Sequence, residues 1–430
     1  MRLLAVGDLH LGRLPARLPG QLGSRQDARA LGPSAALKRL VDEAIREHID
    51  AVAFAGDVVE QDDDFFEAYA ELRRAVERLT EAGIDVVGVA GNHDGQVLPQ
   101  LAREVPGFRL LGTEGTWEAT DIVGADGTEV RLFGWSFPRP RVTESPLANA
   151  GFERGGRPAL GLLHCDRDQP GSHHAPVTAR ELTAAGLDAW LLGHIHKPDD
   201  LTAEQPAGYL GSVTALRASE VGARGPWVYD IGAGGIRDLE QWPLAPLRWE
   251  ALEVDLTGIE AATDARTRIV SAANSLAETL ATARLRPEVL GLRLRLHGRT
   301  GLRRQVAALL GDQELDDLPL AGGIQGFVGR WRLETRPELD LETLARRPDP
   351  VGLLARRLLW LDSSDADNPQ GRELLERARE RLGRAHRETA WSRLELPEEP
   401  DTDQVADWLR RAALDSLDAL LEQHEREASA

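Results

Sequence analysis

The sequence predicts an α/β fold in which buried, largely parallel strands alternate with helices. Two observations carry this reading. Short unbroken apolar runs of strand length alternate with stretches of helical spacing, as expected for strands covered on both faces. Five of these runs also end abruptly in residues of metal-ligand type. In open α/β sheets, ligands gather beyond the carboxyl ends of the strands.

The elements follow in order. Leu3–Val6 leads into Asp8 and His10, and Ala36–Ile49 has helical spacing. Ala51–Ala55 leads into Gly56 and Asp57; Asp62–Asp64 reads as a solvated helix start, continued by helical spacing over Phe65–Leu79. VVGVAGNHDG, Val86–Gly95, ends in Asn92, His93 and Asp94. Asp126 and Gly127, between TWEATDIV and TEVRLFGWSF, mark a hairpin turn. ALGLLHCD places His164, and AWLLGHIH places His194 and His196. Between them Thr178 and Glu181 stand at capping-box spacing before a helical stretch to Leu187. Trp227–Ile231 is a further strand-like run.

Asp8/His10 and His194/His196 are i, i+2 pairs, which project to one side of an extended chain. With Asp57, Asn92 and His164 they make seven oxygen and nitrogen ligands, too many for one closed zinc site but suited to two metals sharing a carboxylate. Such a pair clamps both sides of an in-line displacement at phosphorus. On this reading Asn92 ligates a metal through its amide oxygen. His93, steered by Asp94, faces the phosphate as leaving-group acid or charge stabiliser. Singly each cluster has a plainer meaning: GNHDG is a turn, and a histidine in an apolar run is a core residue. Five in order at strand ends argue for a site. Cys165 reads as a small buried residue, and His48, His297, His386 and His424 as structural or surface histidines.

The bulk composition sets limits. At 430 residues two or three domains are expected. Net charge is -19; residues 1–245 carry 24 Lys+Arg against 36 Asp+Glu, and the remainder 27 against 34. Neither half is basic, which argues against a nucleic-acid partner held by bulk electrostatics. Only Lys38 and Lys197 are lysines among 51 basic residues, and arginine forks phosphate better than lysine. One cysteine excludes an intramolecular disulfide and fits a reducing, cytoplasmic setting. No apolar stretch approaches the ~20 residues of a membrane span. The opening MRLLAVGD reaches a carboxylate too early for a signal peptide.

The order Asp8-Leu9-His10, Gly56-Asp57, Gly91-Asn92-His93-Asp94, His164, Gly193-His194-Ile195-His196 resembles that of the calcineurin-like metallophosphoesterases. Within them the chain looks most like the SbcD-type DNA-repair exonucleases, and more narrowly their YhaO-like branch. DLHLG (Asp8–Gly12), Gly161–Pro198 with its His174–Pro176, and YLGSVTALRASEVGARGPWVYDI carry this. The resemblance implies a four-layered α/β/β/α sandwich with a small α+β capping domain and a helical C-terminal region. It implies a DNA exonuclease, with the nicking of single strands as a second activity, and two divalent ions, usually Mn2+ with Mg2+ as an alternative. One ion would take Asp8, His10, Asp57 and His196, the other Asp57, Asn92, His164 and His194, with His93 catalytic. Glu60 departs from the aspartate common in relatives, and Leu210 from a proline. The implied partners are DNA, an SMC-like or related large ATPase, and a second copy in a homodimer.

The domains expected are residues 1–245 for the phosphoesterase, 246–345 for the cap and 346–430 for the helical region. In the cap, strand-like Leu247–Leu256, Val289–Gly298 and Phe327–Thr335 flank helices over Asp264–Arg284 and Leu302–Leu310. Arg293, Arg295, Arg299, Arg303, Arg304, Arg330 and Arg332 are candidates there for phosphate contact or for a solvated strand face. Val351–Leu361, Arg372–Arg387 and a last helix with Val405, Trp408, Leu409, Ala412, Leu417, Leu420 and Leu421 follow, for a partner or for the protein's own packing. Two other functions remain open: a phosphodiesterase for a small nucleotide or other phosphoester, and a scaffold subunit with a vestigial site.

Overall fold

The structure is a computed structural model that describes residues 1–15, 18–19, 28–60, 65–311, 315–362, 368–386 and 402–429. The expected helix start at Asp62–Asp64 lies outside them.

Strand β1 (Arg2–Val6), helix α1 (Pro33–Arg46), β2 (Ala51–Ala55), α2 (Phe65–Glu81), β3 (Asp85–Val89), α3 (Leu98–Glu104) and β4 (Phe108–Leu110) alternate as expected. The hairpin β5 (Glu118–Val123) and β6 (Glu129–Trp135) follows, then β7 (Ala159–His164), α4 (Ala179–Ala184), β8 (Ala189–Gly193) and β9 (Gly208–Tyr209). β10 (Trp227–Gly232) and β11 (Gly235–Gln241) close this part. One six-stranded sheet runs β11-β10-β1-β2-β3-β4, with β1 to β4 parallel and β10 antiparallel to β1. A five-stranded sheet runs β5-β6-β7-β8-β9, with only β5 antiparallel.

Side-chain alternation builds four layers. Leu3 and Ala5 of β1 pack with Val87, Leu132, Leu160 and Leu191 between the two sheets. Leu4 and Val6 point the other way, onto Leu37, Leu40 and Leu72 of α1 and α2. On the far face of the second sheet, Trp190 and Leu192 pack with Leu182 of α4. Both faces of β1 are thus buried, which is why it reads as an unbroken apolar run. Helix α4 opens with the capping box anticipated at Thr178 and Glu181.

A third sheet, β12-β13-β15-β14, comprises β12 (Leu247–Asp255), β13 (Val289–His297), β14 (Leu318–Pro319) and β15 (Gln325–Leu333). Helices α5 (Ala262–Ala281) and α6 (Arg303–Gly311) lie between its strands in sequence. Trp249 and Phe327 meet edge-to-face at 5.1 Å and are buried with Leu31 and Ala215.

The chain divides into two compact units. The larger comprises Met1–Asp255, Ala261–Leu296 and Gln305–Leu333, so the third sheet falls within it. The smaller comprises Leu256–Glu260, His297–Arg304 and Glu334–Ala430, with helices α7 (Leu341–Ala345), α8 (Pro350–Asp362), α9 (Pro369–His386) and α10 (Thr402–Ser429). In it Val351 and Leu358 of α8 are buried against Leu417 of α10, with Leu420 and Leu421 alongside. Much of the apolar stripe of the last helix therefore packs on the protein itself, while Trp408 stays 47% exposed.

Candidate metal centre

Every ligand-type residue leaves the carboxyl end of a strand. Asp8 and His10 follow β1, Asp57 follows β2, Asn92 and His93 follow β3, His164 ends β7, and His194 and His196 follow β8. These strands are neighbours within their sheets, so their ends deliver to one rim.

The donor atoms form two groups. His10 Nε2 and His196 Nε2 lie 3.1 Å apart, and with Asp8 their ligand atoms fall within 4.8 Å of one another. Asp57, His164 and His194 form a second such group. Asn92 Oδ1 joins it, 3.1 Å from His164 Nε2 and 3.0 Å from His194 Nδ1. The Asp57 carboxylate stands between them: Oδ2 is 3.2 Å from His164 Nε2 and 3.9 Å from His10 Nε2. All seven expected ligands are thus brought together, with Asp57 facing both groups.

The arrangement fits cations. His10 Nδ1 is 2.6 Å from Glu60 Oε2, and His196 Nδ1 is 2.9 Å from Glu220 Oε1. With each Nδ1 facing a carboxylate, the two Nε2 atoms are left facing each other, where a cation between them could take both as donors. Asp8, His10, Asp57 and His164 are all essentially inaccessible to solvent, and buried carboxylates call for a cation partner.

The backbone is strained to achieve this. His10, Asp57 and His194 all adopt positive φ (52°, 48° and 98°), a costly conformation for a side-chain-bearing residue and one concentrated at functional sites. Two motif glycines exist for clearance. A Cβ on Gly91 would lie 2.2 Å from Asp57 Oδ1, and one on Gly193 would lie 2.1 Å from the Ala55 carbonyl oxygen.

Electrostatics in the metal-free protein follow from Asp57. Burial opposes charge on His164, but the adjacent Asp57 carboxylate overrides it and pushes the imidazole up to about 9. Burial opposes charge on Asp57 too, yet His164 and His10 hold it well below the usual carboxylate range. His194 is pushed down to about 4, by burial and then by the charge on His164.

His93 is exposed, its ring 5.3 Å from that of His10. Its Nδ1 meets the Glu60 carbonyl at 3.0 Å. This corrects the expectation that Asp94 steers it. The Asp94 carboxylate is fully buried and accepts the backbone N–H groups of Val58, Val59 and Gly91 instead. Three fixed amide donors hold it under the loops, away from the His93 ring.

Three residues that the sequence did not mark also belong to the site. Glu60 had registered only as a departure from a family pattern, and Glu220 only as part of a resembling segment. Asp166, whose Oδ1 is 3.2 Å from His194 Nε2, likewise stood only within a resembling segment, with no role of its own. Their partners are distant in sequence, so no local spacing betrays them. An open cavity of about 830 Å³ lined by Asp166, Arg167, His174, Lys197 and Tyr209 adjoins this side.

Residues 1–198 match the family model for calcineurin-like phosphoesterases. The chain carries a calcineurin-like metallophosphoesterase domain. Residues 249–336 match the middle domain of the metallophosphoesterase YhaO. The chain is 29% identical over 226 residues to the uncharacterized metallophosphoesterase YhaO of Bacillus subtilis, a match covering 52% of this chain and 55% of that protein. It is 27% identical over 264 residues to the DNA double-strand break repair protein Mre11 of Methanopyrus kandleri, covering 56% of each. To the Mre11 of Haloferax volcanii it is 29% identical over 280 residues, covering 62% of this chain and 58% of that protein. The matches thus span little more than half the length of these relatives. The metallophosphoesterase domain holds its candidate ligands where a dinuclear centre needs them. No helix among the described residues is long and apolar enough to cross a membrane.

Proposed function

We propose that this phosphoesterase is a two-metal phosphodiesterase acting on DNA: an exonuclease that also nicks single strands, serving DNA repair in the cytoplasm. The observation that carries the hydrolytic chemistry is the convergence of seven donors, Asp57 central among them, beside an exposed His93. Asp8, His10, Asp57 and His196 would hold one divalent ion, and Asp57, Asn92, His164 and His194 the other, with manganese our choice of metal. Bound there, the ions would supply charge neutralisation at the phosphate and a stronger nucleophile from water. His93, oriented through Nδ1 by the Glu60 carbonyl, presents its other nitrogen to the phosphate and assists departure of the O3′ group.

DNA is favoured as substrate by the third sheet and by the relatives named for double-strand break repair. Arg293 and Arg295 stand directly across from Arg330 and Arg332 in the β13/β15 register. They lie opposite the buried Leu292, Leu294 and Leu296 and line a cavity of about 650 Å³ with Trp331. Arg295 pairs with Glu253; among the described residues Arg293, Arg330 and Arg332 have no acidic partner. Like charges set opposite one another are unfavourable unless an anion joins them. In this reading residues 1–245 carry the chemistry, 246–345 contact DNA and 346–430 bind an SMC-like or related ATPase subunit, with Trp408 as the contact residue.

The acidic net charge favours a second reading, a small nucleotide diester as substrate. One experiment separates the two: manganese-dependent release of nucleotides from end-labelled duplex DNA, beside a small diester, with wild type, His93→Ala and Arg330→Glu/Arg332→Glu. Loss of DNA digestion in both variants, with small-diester hydrolysis kept only in the arginine variant, supports the DNA reading. Hydrolysis of the small diester with DNA untouched by wild type overturns it.

A further inference from the structure

The two histidines of the Gly193–His196 motif stand two residues apart in sequence yet serve different donor groups. His194 turns Nδ1 to Asn92, whereas His196 turns Nε2 to His10. Different ring nitrogens thus face inward, and each ring's other nitrogen meets a different carboxylate. His194 Nε2 is 3.2 Å from Asp166 Oδ1, and His196 Nδ1 is 2.9 Å from Glu220 Oε1.

Both carboxylates are themselves fixed. Asp166 is held by the Ser172 hydroxyl and faces His174 Nδ1 at 3.5 Å. Glu220 Oε2 accepts the backbone N–H groups of Leu216 and Arg217 at 2.7 and 3.3 Å. Arg224, 3% exposed, donates to the His196 carbonyl and reaches the Ser212 hydroxyl at 3.4 Å. Residues 212–224 therefore brace His196 at its ring and at its backbone together.

We propose that Asp166 and Glu220 are positioning residues that dedicate the two motif histidines to separate ions. Each carboxylate selects the tautomer and rotation of one imidazole, so each governs one metal and not the other. The inference rests on the two-metal reading of the site. Partners of this kind are worth 10–100-fold in metal affinity.

The test is Mn2+ titration of metal-free wild type, Asp166→Asn and Glu220→Gln, followed by calorimetry and by the paramagnetic resonance of bound manganese. Wild type should bind two ions with the spin-coupled signal of a close pair. Each variant should bind one ion as wild type does and the other 10–100-fold more weakly. The coupled signal should vanish at metal levels that saturate wild type. Circular dichroism of the metal-free proteins checks folding, and Glu220→Asp, which keeps the charge, should recover part of the lost affinity. Wild-type affinity for both ions in both variants overturns the proposal. Equal weakening of both ions in either variant overturns it too. Failure of wild type to bind two ions removes the two-metal reading instead.

Discussion

The main-chain carbonyl of Glu60 lies 3.0 Å from His93 Nδ1, while the side chain of the same residue reaches His10 Nδ1 at 2.6 Å. One residue thus orients the catalytic candidate through its backbone and a metal-ligand candidate through its carboxylate. Substitution at Glu60 should accordingly perturb metal binding while leaving His93 in place.

His93 itself should be dispensable for metal and not for chemistry. His93→Ala is expected to lower kcat by roughly 10²–10⁴-fold with both ions still bound, measured by diester turnover beside metal stoichiometry. Loss of metal in this variant would reassign His93 as a ligand.

Asp94 should behave as a structural acceptor. Its oxygens take three backbone N–H groups, and the amide nitrogen of asparagine cannot accept a hydrogen bond. Asp94→Asn should therefore destabilise the metal-free protein by about 1–3 kcal/mol, read from denaturant unfolding. An unchanged midpoint would contradict the buried geometry.

Metal uptake should release protons. In the metal-free protein His164 sits at about 9, above its ordinary 6.5. The stability drawn from its pairing with Asp57 is then complete below pH 6.5 and lost as pH rises through about 9. A metal needs the neutral ring, so affinity should climb with pH up to about 9 and level off above it. Calorimetry near neutral pH in buffers of different ionisation enthalpy should report the expelled proton; buffer-independent heats would argue against it.

Gly91→Ala should abolish binding of both ions at concentrations that saturate wild type, because the added Cβ falls 2.2 Å from Asp57 Oδ1 and Asp57 faces both groups. Metal analysis of the purified, folded variant decides this; full occupancy would mean the loop can shift.

The parts of this site that were legible in the sequence are those that recur with the strands. Asp8, Asp57, Asn92, His164 and His194 each stand at or just past the end of an apolar run, and the runs themselves set the layers. The carboxylates behind the histidines were not legible, because Glu60, Asp166 and Glu220 reach their partners through tertiary folding. Asp94 misled for the opposite reason. Adjacency to His93 suggested a side-chain pair, whereas its burial serves the amides of Val58 and Val59 from another loop and of Gly91 in its own. Arg299 shows the same limit: grouped by sequence with the phosphate-facing arginines, it forms a two-pronged ion pair with Asp418 at 2.9 and 2.7 Å. Arg303 likewise donates to the Thr335 carbonyl.

The smaller unit is woven from three separate stretches of chain, and two of them are short loops whose flanking strands and helices belong to the larger unit. A protease cutting once, anywhere, cannot free it whole. A fragment beginning at Glu334 would leave Thr257 and Arg299 behind, and with them the guanidinium that grips Asp418. Evolution, like the molecular biologist choosing where to end a gene, could not add or shed this unit as a simple tail.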